Sequence, residues 1–440
     1  MDGFTALVAE LSYTTSPQCA VSERFFLMVG QDAWAGAPFG PGSVLSALRR
    51  MGPCTITEIT AELGLARSTT IARLTALVDA GMVTSREGSG GLRGRPASVF
   101  EFHPRAAFVL VAQIGLSAAR LAVADLDGTF LSSDYVDVDL SIGSHEIAKH
   151  MAERFAALLK DLDLTDHPVI AGIGLALPST TETLDYARSI GESLLEWSPD
   201  SFRDVMKARF GAPVFIDRDV NFLGLSERHN SWPNVETLVC VKLGTLIDSS
   251  IIVNGVALKG ADGIAGGFGH AKVSGSTESC TCGGVGCLDA VASGSALVRR
   301  LQQEGLAVTH VADVIALATG GHPVVLQSIR EAGRSIGEAL SAVVNLLNPE
   351  VVAFTGYLTG AESTLFAGIR QGLYENALPA ASARLQLAMP DLGDAAGISG
   401  AAMHVIDRVL DSESVDATLA AGSWLHGTPT DAPQVVATAG

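Results

Sequence analysis

The chain has 440 residues, 48% of them hydrophobic, with 47 acidic and 29 basic side chains and a formal net charge of −18. That length allows two or three domains with separate cores, while the absence of any eighteen-residue apolar run and the lack of a basic start in the opening Met1-Asp2-Gly3-Phe4 argue against a membrane span or a signal peptide. Cys19, Cys54 and Cys240 stand singly, which fits a reducing compartment such as the bacterial cytoplasm better than a disulfide framework.

In chain order, residues 1–36 mix Ser, Thr, Pro and Gly with isolated aromatics and read as an extension holding at most a short helix near Ser22–Val29. The acidic total disfavours a nucleic-acid partner, yet residues 41–100 carry seven arginines against four acidic residues, a local +3, while residues 1–40 carry −3 and 101–440 carry −18. A small basic module therefore sits on an acidic body. From Pro41, the residues Val44, Leu45 and Leu48 with the Arg49-Arg50 pair predict a helix that Gly52-Pro53 ends, and a second helix follows over Thr57–Leu63. Gly64-Leu65 supplies a turn, Ser68 is placed to cap the next helix, and Ile71, Leu74, Leu77 and Val78 recur on one face. That leaves Arg67, Ser68, Thr69, Thr70 and Arg73 as candidates to reach base edges in a major groove. A plain three-helix packing module has the same pattern until the next segment is read. There a Gly-rich hairpin over Glu87–Arg95 leads into the alternating Val99-Phe100-Glu101-Phe102, predicting a winged helix with Arg93 and Arg95 on its wing, at the DNA backbone or in the minor groove.

After Pro104 the pattern becomes α/β. Strands are expected at Phe108–Ile114, Arg120–Leu126, Val169–Ala176, Val214–Ile216, Thr237–Leu243 and Val351–Phe354. Helices are expected at Ile147–Leu162, from Asp219, up to Leu347, and over Gly397–Val409, and residues 411–440 read as a disordered tail. Between the second-lobe strands and helices lie Gly266-Gly267-Phe268-Gly269-His270 and Cys280-Thr281-Cys282-Gly283-Gly284-Val285-Gly286-Cys287. Three thiolates and an imidazole at this spacing suit a closed, tetrahedral Cys₃His site for structural Zn²⁺, held by His270, Cys280, Cys282 and Cys287; the alternative is a set of buried free thiols.

This stretch resembles the zinc motif of the ROK family of repressors, open reading frames and sugar kinases, Gly-Glu-x-Gly-His followed by Cys-x-Cys-Gly-x-x-Gly-Cys-x-Glu. Gly267 stands at the first Glu and Asp289 at the second. The resemblance implies an α/β fold with two actin-like, ribonuclease H-like lobes and a ligand cleft: residues 104–222 with 395–410 as the first lobe, 223–394 as the second, behind a winged helix-turn-helix at 37–103. It also implies that Arg218, Asp219, Gly267, His270 and Asp289 surround a sugar-like effector, and that the protein is a homodimer or homotetramer binding operator DNA. Gly94-Arg95-Pro96 is similar to the linker of ROK repressors. In kinase relatives Asp219 would be the base, after an Asn where this chain has Arg218. Their phosphate-binding Asp-x-Gly-Gly-Thr, Gly-Thr-Gly and Gly-Gly appear here as Gln113-Ile114-Gly115-Leu116-Ser117, Gly244-Thr245-Leu246 and Gly356-Tyr357. The expectation is a non-enzymatic, carbohydrate-sensing transcriptional repressor; the alternative is a sugar kinase with a fused DNA-binding domain. Arg218 and Gly267 further suggest an anionic or enlarged ligand, unless Arg218 merely neutralises Asp219.

Overall fold

The computed structural model describes residues 40–87, 98–115, 118–164, 168–178, 198–389 and 393–422. The expected helix at Ser22–Val29 and the wing arginines Arg93 and Arg95 lie outside this set.

The first module is built from local signals that agree with one another. Pro41 opens α1 (Pro41–Met51), where a missing N–H has no helical partner to lose, and Gly52 at φ 77° ends it. After β1 (Cys54–Thr55), a reciprocal cap starts α2 (Ile56–Leu63): Thr55 N donates to Glu58 Oε2 at 2.7 Å, and Glu58 N donates to Thr55 Oγ1 at 3.4 Å. Gly64 at φ 63° turns the chain into α3 (Arg67–Asp79). This helix starts at an Ala66 N-cap without a side-chain bond, so Ser68 does not cap it. β2 (Val83–Glu87) and β3 (Ser98–Phe102) pair antiparallel from Val83↔Phe102 to Glu87↔Ser98, and β1 joins on the far side of β3. Three helices and a three-stranded sheet make the expected winged helix.

The first lobe is a five-stranded sheet in the order β6-β5-β4-β7-β8. Its strands are β4 (Phe108–Ile114), β5 (Ala118–Asp125), β6 (Phe130–Asp137), β7 (Ile170–Leu177) and β8 (Val214–Arg218). β4 and β7 are buried along nearly their whole length, as unbroken apolar strands between two helical layers should be. α4 (Ser144–Asp161) and α5 (Pro199–Phe210) cover one face with Phe155 and Phe202. β6 and α5 were not read from the sequence, β6 because Ser132, Ser133 and Asp134 interrupt its apolar residues and none of its side chains is fully buried.

The second lobe repeats the plan in the order β11-β10-β9-β12-β13. α6 (Asp219–Asn230) leads into β9 (Thr237–Leu243), β10 (Ile247–Val253) and β11 (Val256–Ala257). A cysteine-bearing loop then precedes α7 (Leu288–Ala292), α8 (Gly294–Gln303), α9 (Val311–Thr319) and α10 (Pro323–Leu347). β12 (Val351–Thr355), α11 (Glu362–Asn376), α12 (Pro379–Ser382) and β13 (Gln386–Ala388) complete the lobe, before α13 (Ala396–Val409) returns to the first. α6 and α13 cross between the sheets. They approach so closely that a Cβ on Gly400 would lie 1.8 Å from the Phe222 carbonyl oxygen.

The C-terminal expectation needs correction over residues 411–422, and the rest of that segment lies outside the described residues. Residues 412–420 form a helix, α14 (Ser412–Ala420), with Asp411 Oδ2 accepting from Glu413 N at 3.1 Å. Val415 is fully buried, and Asp416 Oδ1 accepts from Gly42 N at 2.7 Å, at the start of α1. One apolar core thus runs from Val44, Leu45 and Leu48 of the winged helix through Val109 and Val111 to Val405, Ile406 and Val415. A short, low-complexity composition hid an apolar face that only this neighbour makes useful.

Candidate metal centre, lobe cleft and nucleic-acid interface

His270, Cys280, Cys282 and Cys287 converge, with all their candidate ligand atoms within 4.8 Å of one another. Cys282 Sγ lies 3.7 Å from Cys287 Sγ, and Cys280 Sγ lies 3.8 Å from His270 Nδ1. A tetrahedron with metal–sulfur bonds of about 2.3 Å has edges of about 3.8 Å, so the donor set fits a four-coordinate ion. Gly283 and Gly286, at φ 82° and 73°, let the chain double back, and Cys280 N donates to Gly284 O at 2.8 Å. Burial, then the nearby Lys272 charge, lowers the His270 pKa and keeps the imidazole in its ligating neutral form. Burial also pushes the Cys280 thiol up to about 12, a cost that a bound cation would reverse by holding the thiolate. Lys272 was not picked out from the sequence. Its Nζ donates to Cys287 Sγ at 3.2 Å and to Val285 O at 2.8 Å, where its charge would offset the surplus negative charge of three thiolates if a divalent ion were bound.

Among the residues expected at the cleft, Gly267 and His270 line one cavity, while Arg218, Asp219 and Asp289 are held by other partners. Asp219 opens α6, and its buried carboxylate is ion-paired with Lys242 of β9. Burial opposes the Lys242 charge, yet Asp219 outweighs it and lifts its pKa above the ordinary lysine value. Arg218 is 4% exposed. Its Nη1 donates to both Asp248 oxygens at 3.1 and 3.3 Å, and its Nη2 to Ser249 O at 3.3 Å and to Ala265 O. Arg218 therefore neither awaits an anionic ligand nor neutralises Asp219. Burial raises the Asp248 pKa to about 6 against the pull of Arg218, which leaves the carboxylate mostly ionised at neutral pH. Asp289 is buried and accepts from Ile247 N at 2.7 Å, pinning β10 to α7; burial lifts its pKa to about 6. Gly267 is open, with Ile264 O at 3.5 Å as the one neighbour a Cβ would meet, and it lines a cavity of about 400 Å³ with His270, Ser249, Ile251 and Leu346. Glu227, on the α6 face toward Cys240, is a buried carboxylate that sequence reading passed over; burial pushes its pKa to about 7.

On the winged helix, Arg67 and Ser68 are exposed to solvent and Thr69 partly so. Thr70 is not: it is fully buried, its Oγ1 bonded to Ala66 O at 3.4 Å and to Thr60 Oγ1 at 3.2 Å. Its hydroxyl ties α3 to α2 rather than reading a base. Arg67 reaches Thr57 Oγ1 at 3.3 Å, and Arg73 is half-buried, with Nη1 lacking a hydrogen-bond partner among the described residues. Ile71, expected in the core, is 42% exposed, so the outward face runs Arg67, Ser68, Ile71, Ala72, Thr75.

The ROK family model matches residues 110–408, both lobes and the cysteine loop included. The chain belongs to the ROK family. A second model, described as bacterial regulatory protein, arsR family, matches residues 43–85, so this ROK protein has the organisation of the transcriptional regulator branch, a helix-turn-helix ahead of the ROK domain. It is 22% identical to the xylose repressor of Bacillus subtilis over 376 residues, covering 84% of this chain and 95% of that protein. It is 24% identical to the glucokinase of Thermotoga maritima over 312 residues, covering 67% of this chain and 96% of the kinase. Among solved structures, a ROK family transcriptional regulator described as a homolog of the E. coli MLC protein superposes with a TM-score of 0.73 at 22% identity, over 87% of this chain and 98% of that one. A ROK hexokinase from Thermus thermophilus gives a TM-score of 0.56 at 25% identity over 69% of this chain. No helix among the described residues is long and apolar enough to cross a membrane.

Proposed function

We propose that this ROK protein is a sugar-responsive transcriptional repressor of carbohydrate-related genes, working in the cytoplasm as a homodimer or homotetramer. The observation that carries the reading is the winged helix whose core is continuous with the first ROK lobe, so that a change between the lobes reaches the DNA-binding surface through packed side chains. Arg67, Ser68, Thr69 and Arg73 would face the major groove, and Arg93 and Arg95 of the wing the DNA backbone or minor groove. Zinc is the metal that best suits His270, Cys280, Cys282 and Cys287, as a closed structural site with no position left for water. The effector would lie among Asp219, Gly267, His270 and Asp289. An enlarged sugar derivative is favoured over an anionic one, since Gly267 is open while Arg218 is already matched by Asp248.

Selection of bound sequences from random or genomic DNA tests the first half of this reading, and a thermal-shift panel of sugars tests the second. A ligand at 100 times its Kd adds about 2.7 kcal/mol to stability. Failure to enrich any sequence rejects the repressor, and a flat panel rejects the sensor.

Kinase activity is the second reading, favoured by Asp219 at the mouth of α6 in the cleft and by the glucokinase relatives. Against it stand Leu246, Tyr357 and Gln113 at the phosphate-binding turns and the Lys242 ion pair, which holds the proton-accepting carboxylate. ATP-dependent phosphorylation of a hexose by the purified protein would reverse the preference.

A further inference from the structure

Three consecutive residues leave the edge strand of the first lobe, and each meets an opposite charge on the second. Asp217 pairs with Lys259 at 2.9 Å, Arg218 with Asp248 at 3.1 Å, and Asp219 with Lys242. The order minus, plus, minus on one side faces plus, minus, plus on the other, drawn from three separate places: β9, β10 and the loop after β11. Most of this set is shielded from water: the Asp217, Arg218 and Asp219 side chains are 8%, 5% and 4% exposed, and Lys259 alone, at 56%, lies in the open.

The surroundings are built to hold it. Asp217 Oδ1 accepts from Asn221 Nδ2 at 2.7 Å and from Arg218 N at 2.8 Å, which fixes the carboxylate at the strand end. The Ala265 and Ser249 carbonyls reach Arg218 because Gly266 sits at φ 91° against β10, where a Cβ would fall 2.1 Å from Ser249 O and 3.3 Å from Arg218 Nη2. Compared with apolar residues in their place, buried pairs of this kind add little net stability, because desolvation offsets attraction, but parting a pair whose charges stay buried is costly. Their effect is on which arrangement is allowed: opening the cleft strands or rehydrates three pairs together, whereas closure matches all three.

We propose that Asp217-Arg218-Asp219 is an inter-lobe electrostatic latch that holds the cleft closed with no ligand in it, so that an effector acts by displacing ion pairs rather than by bridging separated lobes. The inference deepens the sensing reading and rests on it for one consequence, that lobe closure sets operator affinity. Closure itself is a property of the ion pairs.

The test uses the full-length, metal-loaded protein without ligand, with fluorophores on non-canonical residues at exposed Lys207 of the first lobe and Glu304 of the second. The double variant Arg218→Met/Asp248→Leu removes the central pair without leaving a buried charge alone. Lys259→Gln removes the outer pair at an exposed position that folds independently of it, and Lys259→Arg keeps the charge. The latch predicts a fall in transfer efficiency for the double variant and for Lys259→Gln, and wild-type transfer for Lys259→Arg. Wild-type transfer in both neutral variants, with circular dichroism and metal content unchanged, overturns it. Operator affinity measured on the same samples separates the two readings: lobes that open while affinity stays the same uphold the latch and refute the link from closure to DNA.

Discussion

The junction between the two ends of the chain offers the most quantitative test of how the reading head is attached. α1 has Gly40 at its N-cap and no side-chain cap of its own, and the carboxylate of Asp416 supplies one from 374 residues away. Removing it with Asp416→Ala loses a cap of about 1 kcal/mol and a favourable charge at the helix N-terminus of about 0.3–1 kcal/mol. Val415 is fully buried against the same helix, so Val415→Ala removes two methyl groups for about 2 kcal/mol of transfer and cavity cost. The two sites adjoin, so their effects need not sum, but about 3–4 kcal/mol is the scale for the double variant. Hydrogen exchange read by mass spectrometry should show the Pro41–Met51 amides exchanging about 100- to 1000-fold faster, with a matching loss of operator affinity in fluorescence anisotropy. Truncation after Leu410 should do at least as much. If both variants leave α1 protection and operator affinity as in the parent protein, the end-to-end junction does not support the winged helix.

Purified without added metal, the protein should carry one zinc per chain by elemental analysis, and Cys282→Ala should unfold the second lobe, given that structural zinc supplies about 10–16 kcal/mol in peptide models; a folded, metal-free second lobe would contradict this. Arg67→Ala should weaken operator binding by about 1–3 kcal/mol and lower the salt slope by about 1. Thr70→Val should instead lower thermal stability by about 0.5–1.5 kcal/mol, with the salt slope unchanged, and a changed slope would return Thr70 to the DNA face. Glu227 has its pKa raised to about 7, so the folded protein binds this proton more tightly than the unfolded chain. Its contribution to stability is full below about pH 4.5 and is lost as pH rises through about 7, a change on the order of 3 kcal/mol. Glu227→Gln should therefore flatten the stability profile over that window and raise stability at pH 8; an unaltered profile would mean the carboxylate is ionised in the fold.

Strong local codes were legible without coordinates. The helix from Pro41 to Gly52, the strands at Phe108 and Thr237, and the His270, Cys280, Cys282, Cys287 cluster each announce themselves through periodicity or ligand chemistry within a short window. What failed depended on neighbours distant in sequence. Thr70 looked solvent-facing on a helical wheel because nothing in its own helix reveals Thr60 across the turn. Arg218 looked like a ligand-seeking guanidinium because Asp248 lies thirty residues on, in a strand whose polar start, Asp248-Ser249-Ser250, gives no sign of being buried. The segment after Asp411 was dismissed for its composition, although Val415 and Leu419 form the i, i+4 pair that meets α1.

The bond between Gly42 and Asp416 also sets a clock on synthesis. The winged helix leaves the ribosome long before the helix that completes its packing. At about 5–20 residues per second, the intervening chain takes roughly 20–75 s to make. Throughout that interval the basic module is present on the nascent chain with α1 uncapped and the surface that Val415 will cover still wet. Prematurely terminated chains share that condition permanently, and so a fragment ending between the winged helix and Asp411 carries the arginines of the DNA-binding module without the helix that packs beneath it.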